Sequence, residues 1–195
     1  MGIGAIITAA GRSSRMGSFK PLLKIGEFTV AEHVIHSYHT AGIKDIVMVT
    51  GHNAQELESR LTHLNLLFLR NDDYESNEMF DSVKIGLDYQ KDKCAKILIS
   101  PIDVPLFTAD TVKALLKCNA SVGIPTYKGK TGHPIILDSE AAEKILRYHG
   151  DGGLRGAITN LFLEIEYIET ADQGMLYDMN TPFDYKKIVQ LNNGK

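Results

Sequence analysis

The sequence is poor in the features that staple a chain or anchor it in a membrane. Its 195 residues hold only two cysteines, Cys94 and Cys118, without CxxC spacing, which argues against a disulfide scaffold and a structural zinc site. Both read as reduced thiols of a cytoplasmic protein. No apolar run reaches the roughly 18–20 residues that cross a bilayer, so no membrane partner is expected. The apolar start, Met1 to Ala10, has no basic residue before it and no clean small-residue cleavage site, and so does not read as a secretory signal. Ile6 stands where a myristoylation motif wants Ser or Thr. Internal repeats, low-complexity tracts and long linkers are also missing, and the length fits one domain over residues 1–195. At 44% hydrophobic and 23% charged, the composition excludes collagen, coiled coil and intrinsic disorder.

Acidic residues are absent from one end of the chain. The net charge is −3, yet residues 1–26 contain Arg12, Arg15, Lys20 and Lys24 and no acid, giving +4 there and −7 elsewhere. Tracking a nucleic-acid backbone needs a broad positive face, so no nucleic-acid partner is expected. A small polyanion such as a nucleoside triphosphate suits this distribution better.

Apolar β-prone runs alternate with helical periodicity, which predicts an α/β fold with a mostly parallel sheet. The expected strands are Ala5–Thr8, Ile46–Val49, Leu66–Leu69, Ile97–Ser100, Ser121–Ile124, Pro134–Leu137 and Glu164–Ile168. Helices are expected over Ala31–Thr40, Ala54–Leu61, Glu78–Tyr89, Ala109–Lys117, Glu140–Tyr148 and Thr181–Leu191. Asp110 and Ser139 are read as helix start signals, Gly42 as a stop and Pro182 as a first-turn proline. The stretches Asn71–Asp73 and Asp88–Lys93 read as exposed turns, and Asn192–Lys195 as a frayed end. His33, His36 and His39 fall away from Val34, Ile35 and Tyr38 on a helical wheel, so they read as a solvated face rather than a metal site.

The first strand runs into Ala9-Ala10-Gly11-Arg12-Ser13-Ser14-Arg15-Met16-Gly17-Ser18-Phe19-Lys20-Pro21. Small residues leave the backbone uncrowded, so N–H groups from Ala10 to Ser14 can approach phosphate oxygens. Arg15 and Lys20 add a fork-shaped donor and a point charge to the same concavity. A Walker loop does not fit, because Gly11 and Gly17 are one residue too far apart and Ser18 stands where Lys is required. A dinucleotide fingerprint fails because Gly2-Ile3-Gly4 precedes the strand. No G-x-S-x-G elbow supports a hydrolase.

This A-A-G-R-S-S-R-M-G-x-x-K run resembles the signature of nucleotidyltransferases that join a nucleoside triphosphate to a phosphorylated acceptor. Within them it most resembles the molybdenum cofactor cytidylyltransferase family. Further matches extend to Asp184. Ser100-Pro101-Ile102-Asp103-Val104-Pro105-Leu106 is similar to the family's G-D-x-P-L segment, Gly129–Leu137 to G-x-x-G-H-P-V, and Gly150–Arg155 to G-D-x-G-A-R with Leu154 replacing Ala. Asp178–Asp184 resembles D-I-D-T-P-E-D, with Asn180 in place of the second Asp and Phe183 in place of Glu, and Asn77–Leu87 resembles the helix start that seats the base.

The resemblance implies a Rossmann-like three-layer α/β/α sandwich. It implies catalysis by Arg15, Lys20 and Asp103, with nucleotide held by Ala9, Ala10, Gly11, Arg12, Ser13, Ser14, Arg15, Lys20 and Ser82. Acceptor contacts would fall to His133, Pro134, Asp151 and Arg155, although Asp151 and Arg155 can equally pair with each other. Mg²⁺ would sit on Asp103 with Asp178 or Asn180. The expected reaction moves CMP from CTP to the terminal phosphate of a molybdopterin-type acceptor, releasing pyrophosphate, with a molybdoenzyme client downstream. The same scaffold leaves open a GTP-using guanylyltransferase, a sugar- or polyol-phosphate cytidylyltransferase, or a non-catalytic nucleotide-binding accessory protein.

Overall fold

A computed structural model describes residues 2–12, 16–76 and 78–193. The chain opens with β1 (Gly2–Ala9), a hairpin of β2 (Lys24–Ile25) and β3 (Phe28–Thr29), and helix α1 (Val30–Thr40). Then come β4 (Asp45–Thr50), α2 (Ala54–Arg60), β5 (Leu67–Arg70), α3 (Met79–Gln90), β6 (Cys94–Pro101) and α4 (Ala109–Leu115). The second half carries β7 (Val122–Tyr127), β8 (Lys130–Thr131), β9 (Ile135–Asp138), α5 (Ser139–Leu146), α6 (Gly153–Asn160), β10 (Ile165–Glu169) and α7 (Pro182–Asn193).

The main sheet runs β10-β7-β9-β6-β1-β4-β5, with β8 added beside β7. β1 pairs in parallel with both β4 and β6, β4 with β5, and β10 with β7. β9 is antiparallel to both of its neighbours. The expected α/β class with a mostly parallel sheet is therefore the one observed.

Alternation along β1 explains the layers. Ala5, Ile7 and Ala9 pack on one face with Val34, Tyr38, Leu57, Leu115 and Ile188, which brings α1, α2, α4 and α7 to that side. Ile6 packs on the other face with Phe80, Leu87, Ile145 and Ile158 from α3, α5 and α6. A strand covered on both faces must be apolar throughout, which is why the opening run carries no polar alternation. From β1 the chain moves to β4 and β5 on one side, then returns through α3 to β6 on the other. The carboxyl ends of β1 and β6 thus flank a switch in strand order, where open α/β sheets form a binding crevice.

The local start and stop chemistry differs in places from the sequence expectation. Asp110 and Ser139 do not cap. Thr108 accepts from Thr111 N and Asp138 from Ala141 N, because these residues still have the extended backbone a cap requires. Asp110 instead lies on the surface 3.4 Å from Lys113. Gly42, at φ 91°, does stop α1, and Pro182 does open α7. α7 also continues through Asn193, past the start of the stretch expected to fray. Gly194 and Lys195 lie outside the described residues.

The stretch Asp88–Lys93 is not wholly an exposed turn. α3 reaches Gln90, whose buried side chain donates through Nε2 to Ala5 O (3.3 Å) and Asp45 O (3.2 Å). Gly4 makes room for this amide, since a Cβ there would fall 2.5 Å from Gln90 Oε1. The three histidines of α1 do sit on its outer side, where His33 meets Ile25 O at 2.7 Å and His36 stacks on Phe28. Cys94 and Cys118 are both free and buried. Among the described residues no helix is long and apolar enough to cross a membrane.

Candidate active site

Three segments converge at the carboxyl ends of β1 and β6. The first is the turn after β1, where Ala9 and Ala10 are buried and Gly11 is exposed, with open space where a Cβ would lie. Further along, a 3₁₀ turn at Lys20–Leu22 carries Pro21 in its first positions and brings the Lys20 side chain inward, 7% exposed. The second segment continues β6. Ile102 N donates to Thr8 O at 3.0 Å, one step past the paired strands, so Asp103 emerges beside the opening turn. The third is the stretch before α7. Met179 N donates to Asp103 O at 2.8 Å, which brings Asp178 and Asn180 to the same place.

A buried ammonium is costly unless its donors are met. The Lys20 Nζ donates to Asn180 Oδ1 at 3.1 Å and lies 3.4 Å from Asp103 Oδ2. Asp184 fixes this geometry from behind, accepting from Thr181 Oγ1 at 2.8 Å, Thr181 N at 2.8 Å and Asn180 N at 3.2 Å, and these bonds, the hydroxyl's first, hold its own pKa below the ordinary range. Asp178 shows the opposite shift. Desolvation, and then the like charge of Asp103, raises its pKa, with Lys20 opposing. Burial lowers the pKa of His133, with Asp103 pulling the other way, so its imidazole is neutral at pH 7. Among the described residues nothing bonds the buried Nδ1 of His133.

The crevice wall is completed from β5 and α3. Asn71, expected in an exposed turn, is 3% exposed: its N donates to Thr50 O at 2.8 Å and its Nδ2 to Ser82 Oγ at 3.0 Å. Its polar neighbours Asp72 and Asp73 disguised it, but its place at the carboxyl end of β5 was the available signal. Thr8, Ala10, Gly11, Lys20, Asn71, Ser82 and Asp103 thus line one cleft with Tyr74 and Met79; of these, sequence reasoning missed Thr8, Asn71 and Tyr74, and Met79 belongs to the helix start expected to seat the base. A wider hollow of about 500 Å³ opens beside Asp172 and Glu169, but both carboxylates are already committed to hydrogen bonds.

The profile of the MobA-like NTP transferase domain matches residues 5–165 of this sequence. The chain belongs to the MobA-like NTP transferase family. It is 27% identical over 186 residues to the molybdenum cofactor cytidylyltransferase of Escherichia coli, covering 94% of this chain and 93% of that one. It is also 33% identical over 115 residues to the bifunctional protein GlmU of Staphylococcus carnosus, a match taking in 58% of this chain but only 25% of that protein. Among solved structures, a nucleotidyl transferase from Methanothermobacter superimposes with a TM-score of 0.87 at 24% identity, covering 98% of each chain. The three-layer nucleotidyltransferase fold implied by the opening motif is thereby observed.

Within this MobA-like chain, the structure brings together Ala9, Ala10, Gly11, Lys20, Ser82, Asp103, Asp178 and Asn180 of the expected site. Ser13, Ser14 and Arg15 lie outside the described residues. Arg12 is exposed, pairs with Glu75 and lies over the Tyr74 ring at 5.9 Å. His133 faces the field of Asp103, and Pro134 follows it through a cis peptide. Asp151 and Arg155 stand at the start of α6, a helix the glycine-rich sequence concealed, and among the described residues they form no ion pair with each other. Gly156 keeps that loop closed, because a Cβ there would fall 2.1 Å from Asp151 O.

The Asp178 shift has a testable sign. Its folded pKa lies above the unfolded value, so stability falls as pH rises through that window and the deficit persists above it. In chelator-treated protein, Asp178→Asn is expected to raise Tm at pH 7, with the two curves converging below about pH 4. Thermal denaturation across pH checks this; equal Tm values at pH 7 would exclude a cost of ionising Asp178 in the fold.

Proposed function

We propose that this protein transfers the CMP group of CTP to the terminal phosphate of a molybdopterin-type acceptor, releasing pyrophosphate. The observation that carries this reading is the buried Lys20 ammonium, held between Asp103 and Asn180 where the opening turn meets the end of β6. A bond forms between an acceptor phosphate oxygen and Pα, and the bond from Pα to the bridging oxygen of pyrophosphate breaks. The acceptor phosphate is already anionic near pH 7, so no strong base is required, and a neutral His133 is consistent with that. Positioning and charge stabilisation then provide most of the acceleration. Lys20, with Arg15, offsets negative charge building on Pα and the leaving pyrophosphate, while the turn from Ala10 to Ser14 cradles the triphosphate.

The oxygen donors of Asp103, Asp178 and Asn180 fit Mg²⁺, a hard cation that prefers oxygen ligands and retains several waters. Burial of Asp178, and then the like charge of Asp103, raise its pKa, and such a cation would offset both. When bound, the ion supplies charge neutralisation between triphosphate and acceptor. Asn71 and Ser82 offer an amide and a hydroxyl, which can each donate to or accept from the edge of cytosine. His133, Pro134, Asp151 and Arg155 would contact the acceptor. The match to the Escherichia coli molybdenum cofactor cytidylyltransferase, over 94% of this chain, supports the choice of acceptor, and a molybdoenzyme client downstream is part of the proposal. Free buried cysteines accord with a reducing, cytoplasmic setting.

Incubation with each of the four triphosphates, Mg²⁺ and reduced pterin cofactor, followed by mass spectrometry, tests the reading. The CMP adduct and pyrophosphate are expected with CTP. An adduct formed with GTP alone, or CTP bound without turnover, would overturn it.

A further inference from the structure

Helix α3 turns one face to the cleft. Met79 and Ser82 both line it, at the i, i+3 spacing that stacks side chains on one side of a helix. Phe80 and Val83, offset around the same helix, go into the core at 9% and 3% exposure. Ser82 forms a closed floor at 2% exposure, bonded to Asn71, whereas Met79 is 63% exposed at the rim. Packing within the fold gives no reason for an apolar side chain at this first helical position. A thioether on a flexible unbranched stem is well suited to lie against a flat ring. We propose that Met79 covers the face of the nucleobase whose edge rests on Asn71 and Ser82. This rests on the reading that the cleft takes a nucleoside triphosphate. Because every base has a π face, the contact adds affinity without selecting a base, and selection stays with the polar pair beneath.

Methyl-labelled methionine gives a direct readout, since the chain has six methionines and Met79→Leu identifies the resonance of interest. Titration of CTP without acceptor is expected to move that methyl upfield, as a ring stacked on it requires. By calorimetry, Met79→Ala is expected to weaken CTP binding by about two- to tenfold, and Met79→Leu to restore most of it. A methyl that stays still while calorimetry shows CTP bound overturns the role of Met79 and leaves the nucleotide reading intact. A methyl that moves only with the pterin acceptor overturns it as well. If no triphosphate binds by either method, the reading of the cleft fails first and this contact fails with it.

Discussion

Replacing Asp103 with alanine is expected to lower kcat for nucleotidyl transfer by about 10²–10³, the usual loss for one preorganised electrostatic group, while the protein stays folded. Lys20→Ala should fall in the same range. The two groups lie 3.4 Å apart and offset each other's charge, so the double variant is expected to lose far less than the product of the single losses. Lys20→Ala also leaves Asp103 and Asp178 without their shared counter-charge, which should raise the Asp178 pKa further. Pyrophosphate release measures the activity and circular dichroism the fold. Near-normal turnover in either single variant would remove that residue from the mechanism.

A large stability effect is expected at Asp172, outside the cleft. Its carboxylate accepts from Thr108 N at 2.7 Å, Thr108 Oγ1 at 3.0 Å, Thr111 Oγ1 at 2.7 Å and Gly174 N at 2.8 Å. Thr111 is 1% exposed, and its hydroxyl donates to this carboxylate, so the substitution removes the acceptor it uses in the fold. Bonds to a charged acceptor are among the stronger ones, and orphaned buried donors add to the loss, giving about 3–4 kcal/mol for Asp172→Ala. This carboxylate also anchors the chain that leads through Met175 and Met179 to Asn180. Met175 O accepts from His133 N at 3.3 Å, and Met179 N ties to Asp103. Urea denaturation should therefore show a lower midpoint, and kcat should fall although Asp172 does not line the cleft. An unfolding free energy within about 0.5 kcal/mol of the parent would mean that these bonds have ready replacements.

Much of this arrangement was legible in the amino-acid order. Apolar β-prone runs marked β1, β4, β5, β6, β7, β9 and β10, and the small residues after β1 marked the crevice. Short-range chemistry hid the remainder. A two-residue strand such as β2 or β3 carries no periodicity. α6 opens on Gly152 and Gly153, at φ 86° and 59°, which read as a loop. Asn71 and Gln90 sat among charged neighbours, yet each is buried because its amide meets groups distant in sequence: Ser82 for one, Ala5 and Asp45 for the other. The convergence of Lys20, Asp103 and Asn180 depends on the Met179–Asp103 backbone bond, a contact no local pattern announces.

The most direct measurement is a crystal structure with a non-transferable CTP analogue and Mn²⁺. The three phosphates should lie along the turn from Ala10 to Lys20, with the base over Asn71 and Ser82 and the anomalous peak of the metal beside Asp103. An analogue bound elsewhere, with that turn bare and no metal at Asp103, would contradict the account.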